Sequence, residues 1–127
     1  MSEPIEQTLP WEVLQSTVDL VLKDNHGFDG APYIQQIAEE LDKRQIPYIR
    51  NSVQTPNDQL LFPWCEANVV CHYGSYGHEK GLFEVVGDKL MTQEEIAIDS
   101  VKGKLPLDVV VERIVKAYDA YRKENNE

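Results

Sequence analysis

Two short runs rich in β-branched and aromatic side chains stand on either side of a glycine-rich segment: residues 68–73 (Asn-Val-Val-Cys-His-Tyr), then 82–86 (Leu-Phe-Glu-Val-Val). Strand-forming runs this close in sequence pair as an antiparallel hairpin, because a parallel crossover needs a dozen or more residues. Outside the hairpin the apolar spacing changes to three and four. Trp11, Leu14, Val18, Val21 and Leu22 make a helical stripe from about Pro10, ended by Asp24-Asn25-His26-Gly27. Ile34, Ile37, Ala38 and Leu41 make a second stripe, with Pro32 in the first turn and Pro47 as the stop.

Thr92-Gln93-Glu94-Glu95 is a capping box that opens a short helix, and Gly103 breaks the chain after it. Pro106 opens the longest helix, with Leu107, Val110, Val111, Ile114, Val115, Tyr118 and Tyr121 turned inward. Pairs spaced four apart, Glu39–Lys43, Glu40–Arg44, Glu112–Lys116 and Asp119–Lys123, mark the solvated helix faces. A short edge strand is expected over 48–53, where Pro47 is unable to donate to a ladder. The order α-α-β-β-β-α-α predicts an α+β fold, a small antiparallel sheet of about three strands with helices on one face.

At 127 residues the chain has the size of one domain. That domain is expected over 9–124, with the polar segment 1–8 frayed. The formal net charge is −10. Nucleic-acid binding draws on Lys and Arg to displace counterions, so this balance argues against direct DNA or RNA binding and against anionic membranes. A basic protein partner, or solubility alone, fits the charge. Cys65 and Cys71 are the two cysteines, too few for a disulfide framework. The acidic start lacks the regions of a signal peptide, and no apolar run approaches the ~18 residues of a membrane helix. A cytoplasmic protein without a cofactor is the expectation.

The segment 74–81 is longer than a minimal hairpin requires. Gly74, Gly77 and Gly81 supply its backbone geometry, and Tyr76, His78 and Glu79 are the side chains it presents, as a recognition loop does. The apolar stretch 60–64 packs across the sheet edge as core, or else offers Phe62 and Trp64 as anchors for a partner. Cys71, His72 and His78 come close to metal-ligand composition. The spacing of Cys65 and Cys71 falls outside structural zinc patterns, however, and Cys71 and His72 on one strand point to opposite faces. Cys71, Ser75, His72, His78 and Glu84 also have the residue types of nucleophilic catalysis, without a recognised catalytic motif around them.

From Ser75-Tyr76-Gly77 onward the pieces follow a recurring order: residues 81–87 (Gly-Leu-Phe-Glu-Val-Val-Gly), 90–95 (Leu-Met-Thr-Gln-Glu-Glu), 99–103 (Asp-Ser-Val-Lys-Gly) and 110–114 (Val-Val-Glu-Arg-Ile). This C-terminal half resembles a family of small uncharacterised proteins of Gram-positive bacteria and their phages. Pro106 departs from the threonine cap usual there, and Val86 from a methionine. The resemblance carries no catalytic residue; it implies a mobile-element or accessory protein, cytoplasmic and without a cofactor.

A protein–protein interaction or accessory module, acting on a host or defence protein, is therefore the first expectation. A ligand- or metal-dependent enzyme built on the Cys/His hairpin is the alternative, as is nucleic-acid mimicry by carboxylates, although the acids are dispersed. The last helix has apolar residues at 107, 111, 114, 118 and 121, nearly a heptad seam. Monomer and homodimer both stay open, the second needing a further stripe for which Val110, Ala117 and Tyr121 are the candidates.

Overall fold

The computed structural model describes residues 27–125. The helix expected from about Pro10 and the segment 1–8 lie outside them. Among the described residues the chain runs α1 (Ala31–Lys43), β1 (Ile49–Asn51), β2 (Gln59–Phe62), β3 (Ala67–Val70), β4 (Phe83–Val86), α2 (Gln93–Ile98), β5 (Val101–Leu105) and α3 (Leu107–Glu124). Short 3-10 turns lie at His78–Lys80 and Asp88–Leu90. The five strands form one antiparallel meander in chain order. The α+β class is as expected, with two strands beyond the three expected.

Helix α1 buries Ile34, Ile37, Ala38 and Leu41, the three-and-four stripe of its sequence. It ends before Pro47, not at it. Gln45 turns into the left-handed region at φ +59°. The Ile46 N–H donates to the Leu41 carbonyl (3.0 Å) and the Gln45 N–H to the Asp42 carbonyl (3.1 Å), a Schellman stop that buries Ile46. On its outer face Glu40 takes both cations, Arg44 at 2.7 Å and Lys43 at 3.3 Å, so the expected Glu39–Lys43 pair is replaced.

Period-two alternation sends one face of the sheet toward α1 and α3. Leu60, Val69 and Val85 stand in register across β2, β3 and β4, all fully buried. Phe62 stands opposite Ala67, and Phe83 opposite Leu105. With Val110 and Ile114 of α3 these side chains form one core. Each large apolar side chain so buried contributes about 1.5–3 kcal/mol.

The two unexpected strands have separate causes. In β2, Leu60 and Phe62 face the core while Leu61 lies on the other face and is half-buried, so the alternation is hidden by an apolar residue on each side. In β5, Phe83 pairs with Leu105 but Val85 pairs with Lys102, so Glu84 stands opposite two residues. That bulge carries Lys104 at φ +61°. Gly103 is not a chain break: it leaves room for the Cβ and carbonyl of Tyr76, which pack directly over it. The Tyr76 carbonyl accepts the Lys104 N–H at 2.9 Å, which ties the hairpin loop to β5.

The capping box is present at the start of α2, where the Thr92 hydroxyl accepts from Glu95 N–H and the Glu95 carboxylate accepts from Thr92 N–H. The same carboxylate holds Arg113 of α3 in a two-pronged pair at 2.7 and 2.9 Å. The guanidinium also donates to the Leu90 carbonyl (2.9 Å), so one ion pair joins two helices and a turn.

Candidate functional site

The loop 74–81 does not gather a catalytic set. Cys71 is fully buried, and burial, helped by nearby Asp58, pushes its thiol up to about 12. Cys65 is half-buried at the β2–β3 turn, and burial pushes its thiol up to about 11. Thiolates are the nucleophiles and metal ligands, so neither sulfur is prepared for attack or ligation at neutral pH. The Ser75 hydroxyl is buried, donates to the His72 carbonyl (2.8 Å) and accepts the His72 N–H (3.1 Å). Each imidazole turns Nδ1 onto a backbone carbonyl, His72 to Tyr73 at 3.0 Å and His78 to Ser75 at 2.9 Å.

The Gly74 N–H also approaches His78 Nδ1, at 3.3 Å and as donor, so backbone groups engage this nitrogen in either tautomer. The His78 ring lies edge-on to Phe28 and to Tyr73, with centroids 5.0 and 5.1 Å away. It is therefore a packing residue. Among the described residues no group of three or more His, Cys, Asp and Glu side chains is placed to hold a metal.

Tyr76 does stand on the surface, 56% exposed. Its N–H donates to Glu84 (3.0 Å), so the residue is held from both sides of its backbone. Glu79, three residues on, is exposed as well. Gly74, Gly77 and Gly81 all have positive φ. At Gly81 a Cβ would lie 2.5 Å from the Tyr33 ring, and at Gly77 it would lie 2.8 Å from the Lys104 backbone. Those two are fixed by close approach as well as by conformation.

The other two candidates separate. Phe62 is fully buried on the core face of β2, so it is no surface anchor. Trp64 sits two residues on, in the β2–β3 turn, partly buried against the core. Its indole N–H donates to the Pro47 carbonyl at 2.9 Å, which fixes the ring. Around it stand Tyr118 (5.0 Å between centroids) and Tyr121 (5.7 Å), themselves stacked at 6.0 Å. The Arg122 guanidinium lies 6.0 Å over the Tyr118 ring. Nearby, Tyr48 donates to Asp42 (2.8 Å) and is covered by the Arg50 guanidinium at 5.8 Å.

The last turns of α3 meet the Trp64 turn through the rings of Tyr118 and Tyr121. Tyr118, expected inward, packs partly buried against the core, and Tyr121 is partly buried as well.

Two cavities adjoin this cluster. One of about 230 Å³ runs between Trp64, Cys65, Lys89, Ala117, Ala120 and Tyr121. A more open one of about 640 Å³ lies on the other side, between Ile46, Pro47, Tyr48, Arg50 and Tyr118. The signal missed in the sequence is Tyr118-x-x-Tyr121-Arg122 at the far end of a helix longer than any strand it covers.

Comparison with protein-family models, with curated proteins and with solved structures found no match. Among the described residues no helix is long and apolar enough to cross a membrane.

Proposed function

We propose that the protein is a non-enzymatic protein-interaction module that contacts its partner through the Trp64 pole. The observation that carries this reading is the cluster of Trp64, Tyr118 and Tyr121, in mutual contact, partly buried with the remainder at the surface, and edged by Arg122. Trp, Tyr and Arg are the residues that dominate binding hot spots, and such residues act in packed groups with pockets beside them. Trp64 is locked by its Pro47 hydrogen bond and its contact with Phe62, so little side-chain freedom is left to lose on binding. Tyr76 is more exposed but stands alone, which makes it the weaker anchor.

The hairpin supports this reading over the enzymatic one, since its hydroxyl and both its imidazole Nδ1 atoms are spent on backbone groups. The resemblance to small proteins of Gram-positive bacteria and phages favours an accessory role directed at a host or defence protein. The test is a photo-reactive phenylalanine analogue placed at position 121 or, separately, at position 76 in living cells. One discrete protein adduct from position 121 supports the reading. An adduct from position 76 alone moves the contact to the hairpin loop.

A further inference from the structure

Among the described residues the meander has two edges, β1 and β5. At β5 the bulge, the exposed Lys102 and Lys104, and the Tyr76 carbonyl on the Lys104 N–H interrupt the ladder that another strand would need. The β1 edge has none of these defences. Its pairing with β2 is regular, and Ile49, Arg50 and Asn51 are all exposed.

The register decides which backbone groups point outward. The Cys71 N–H donates to the Asp58 carbonyl at 3.1 Å. Alternation from that pair turns Leu60 toward Val69, and so turns Gln59 and Leu61 toward β1. Ile49 and Asn51, opposite Leu61 and Gln59, therefore bond to β2. Arg50 between them turns its N–H and C=O away from the sheet.

Arg50 stands opposite the core residue Leu60, so its side chain lies on the helix side of the sheet. There it lines the open cavity of about 640 Å³ with Ile46, Pro47, Tyr48 and Tyr118. Arg44 and Arg113 each meet a carboxylate at 2.7 Å. The Arg50 guanidinium instead donates to the Gln35 amide oxygen (2.7 Å) and covers the Tyr48 ring. Asp42, also on the cavity wall, accepts the Tyr48 hydroxyl at 2.8 Å. Among the described residues no carboxylate pairs with Arg50.

From this we infer that the partner adds an extended segment to β1, antiparallel, with a carboxylate opposite Arg50. Two residues later, opposite Tyr48, the segment carries an apolar side chain that enters the cavity. Main-chain bonds supply the affinity of such an addition, and alternate side chains supply the selection. The Pro47 carbonyl in the cavity wall also holds the Trp64 indole N–H, so the added strand is continuous with the Trp64 pole. The inference deepens the proposed function and rests on it. A second copy of the chain fits the edge badly. Pairing β1 with β1 about a two-fold axis at Arg50 sets two guanidinium groups side by side.

The probe is the capped hexapeptide Thr-Val-Glu-Thr-Leu-Thr, titrated into the full chain while its backbone amides are followed by NMR. Wild type should bind it with a dissociation constant on the order of 0.1–1 mM. The Arg50 amide should shift and gain protection from exchange, while the Ile49 and Asn51 amides, already bonded to β2, move less. N-methylation at the peptide's glutamate removes one ladder bond and should weaken binding about tenfold. Arg50→Glu should prefer the peptide with lysine in place of glutamate by about fivefold. No binding up to about 5 mM, shifts confined to residues away from β1, or indifference to the N-methyl group and to the charge reversal overturns the inference. Capture of the cellular partner separates this inference from the reading it rests on. A partner lost with Tyr121→Ala plus Arg122→Glu but kept with Arg50→Glu leaves the Trp64 pole standing and sinks the added strand. A partner lost with both supports both, and one lost with Arg50→Glu alone supports the strand against the pole.

Discussion

Asp58 is a fully buried carboxylate. Its charge is carried by peptide dipoles: the N–H groups of Val53 (2.6 Å), Gln54 (2.9 Å) and Thr55 (2.9 Å) all donate to it. Successive N–H groups turned inward make an anion-binding concavity, and here the anion is the chain's own side chain. Asp58→Ala leaves three donors unmet and should cost about 3 kcal/mol in urea unfolding, with residues 52–58 opening. Asp58→Asn keeps an acceptor and should cost about half as much. The thiols make a second prediction at this scale. The unfolded chain releases both thiol protons near the ordinary value of about 9, while the folded chain holds them to about 11 and about 12. Both folded values are raised, so the thiols favour the folded state fully below pH ~9, and that contribution is lost as pH climbs through the folded values. Thiol reagents at pH 8 should label Cys65 slowly and Cys71 only through unfolding.

The join between α2 and α3 belongs to the element scale. Arg113 donates two hydrogen bonds to Glu95 and holds its carboxyl below the usual carboxylate range, with the Thr92 N–H adding to the effect. A lowered value means that the stabilisation is present above the ordinary carboxylate range and is lost as pH falls through the folded one. Glu95→Gln should cost about 1–2 kcal/mol at pH 7, and the difference from wild type should shrink as pH falls below the ordinary carboxylate range. At the end of α1, Gln45 holds a left-handed conformation that favours glycine. Gln45→Gly should raise stability by about 1 kcal/mol in thermal unfolding.

The same scale shows what was legible in the chain. Stripes such as Ile34, Ile37 and Leu41 announce α1 because three-and-four spacing has no other use. β3 and β4 are announced by β-branched runs on either side of the loop. β2 was hidden because Leu61 makes both of its faces apolar, and β5 because its bulge at Gly103 and Lys104 breaks the alternation. Trp64 could be named from sequence as a candidate anchor, while its ring contacts with Tyr118 and Tyr121 could not. Periodicity tells which face of a helix turns inward and says nothing about which turn meets it there.

At the scale of the molecule, a body of formal charge −10 repels anionic partners at long range. On the function proposed above, Trp64, Tyr118 and Tyr121, with Arg122 over the Tyr118 ring, supply the short-range contact. The most direct test is quantitative affinity capture from the native cells with three tagged proteins: wild type, Tyr121→Ala with Arg122→Glu, and Tyr76→Ala. Their thermal midpoints should be compared in parallel, to show that the fold is kept. The account predicts one near-stoichiometric protein held by wild type and by Tyr76→Ala, and reduced at least about tenfold by the double variant. Equal capture by the double variant, or a retained metal or small molecule in place of a protein, would contradict it.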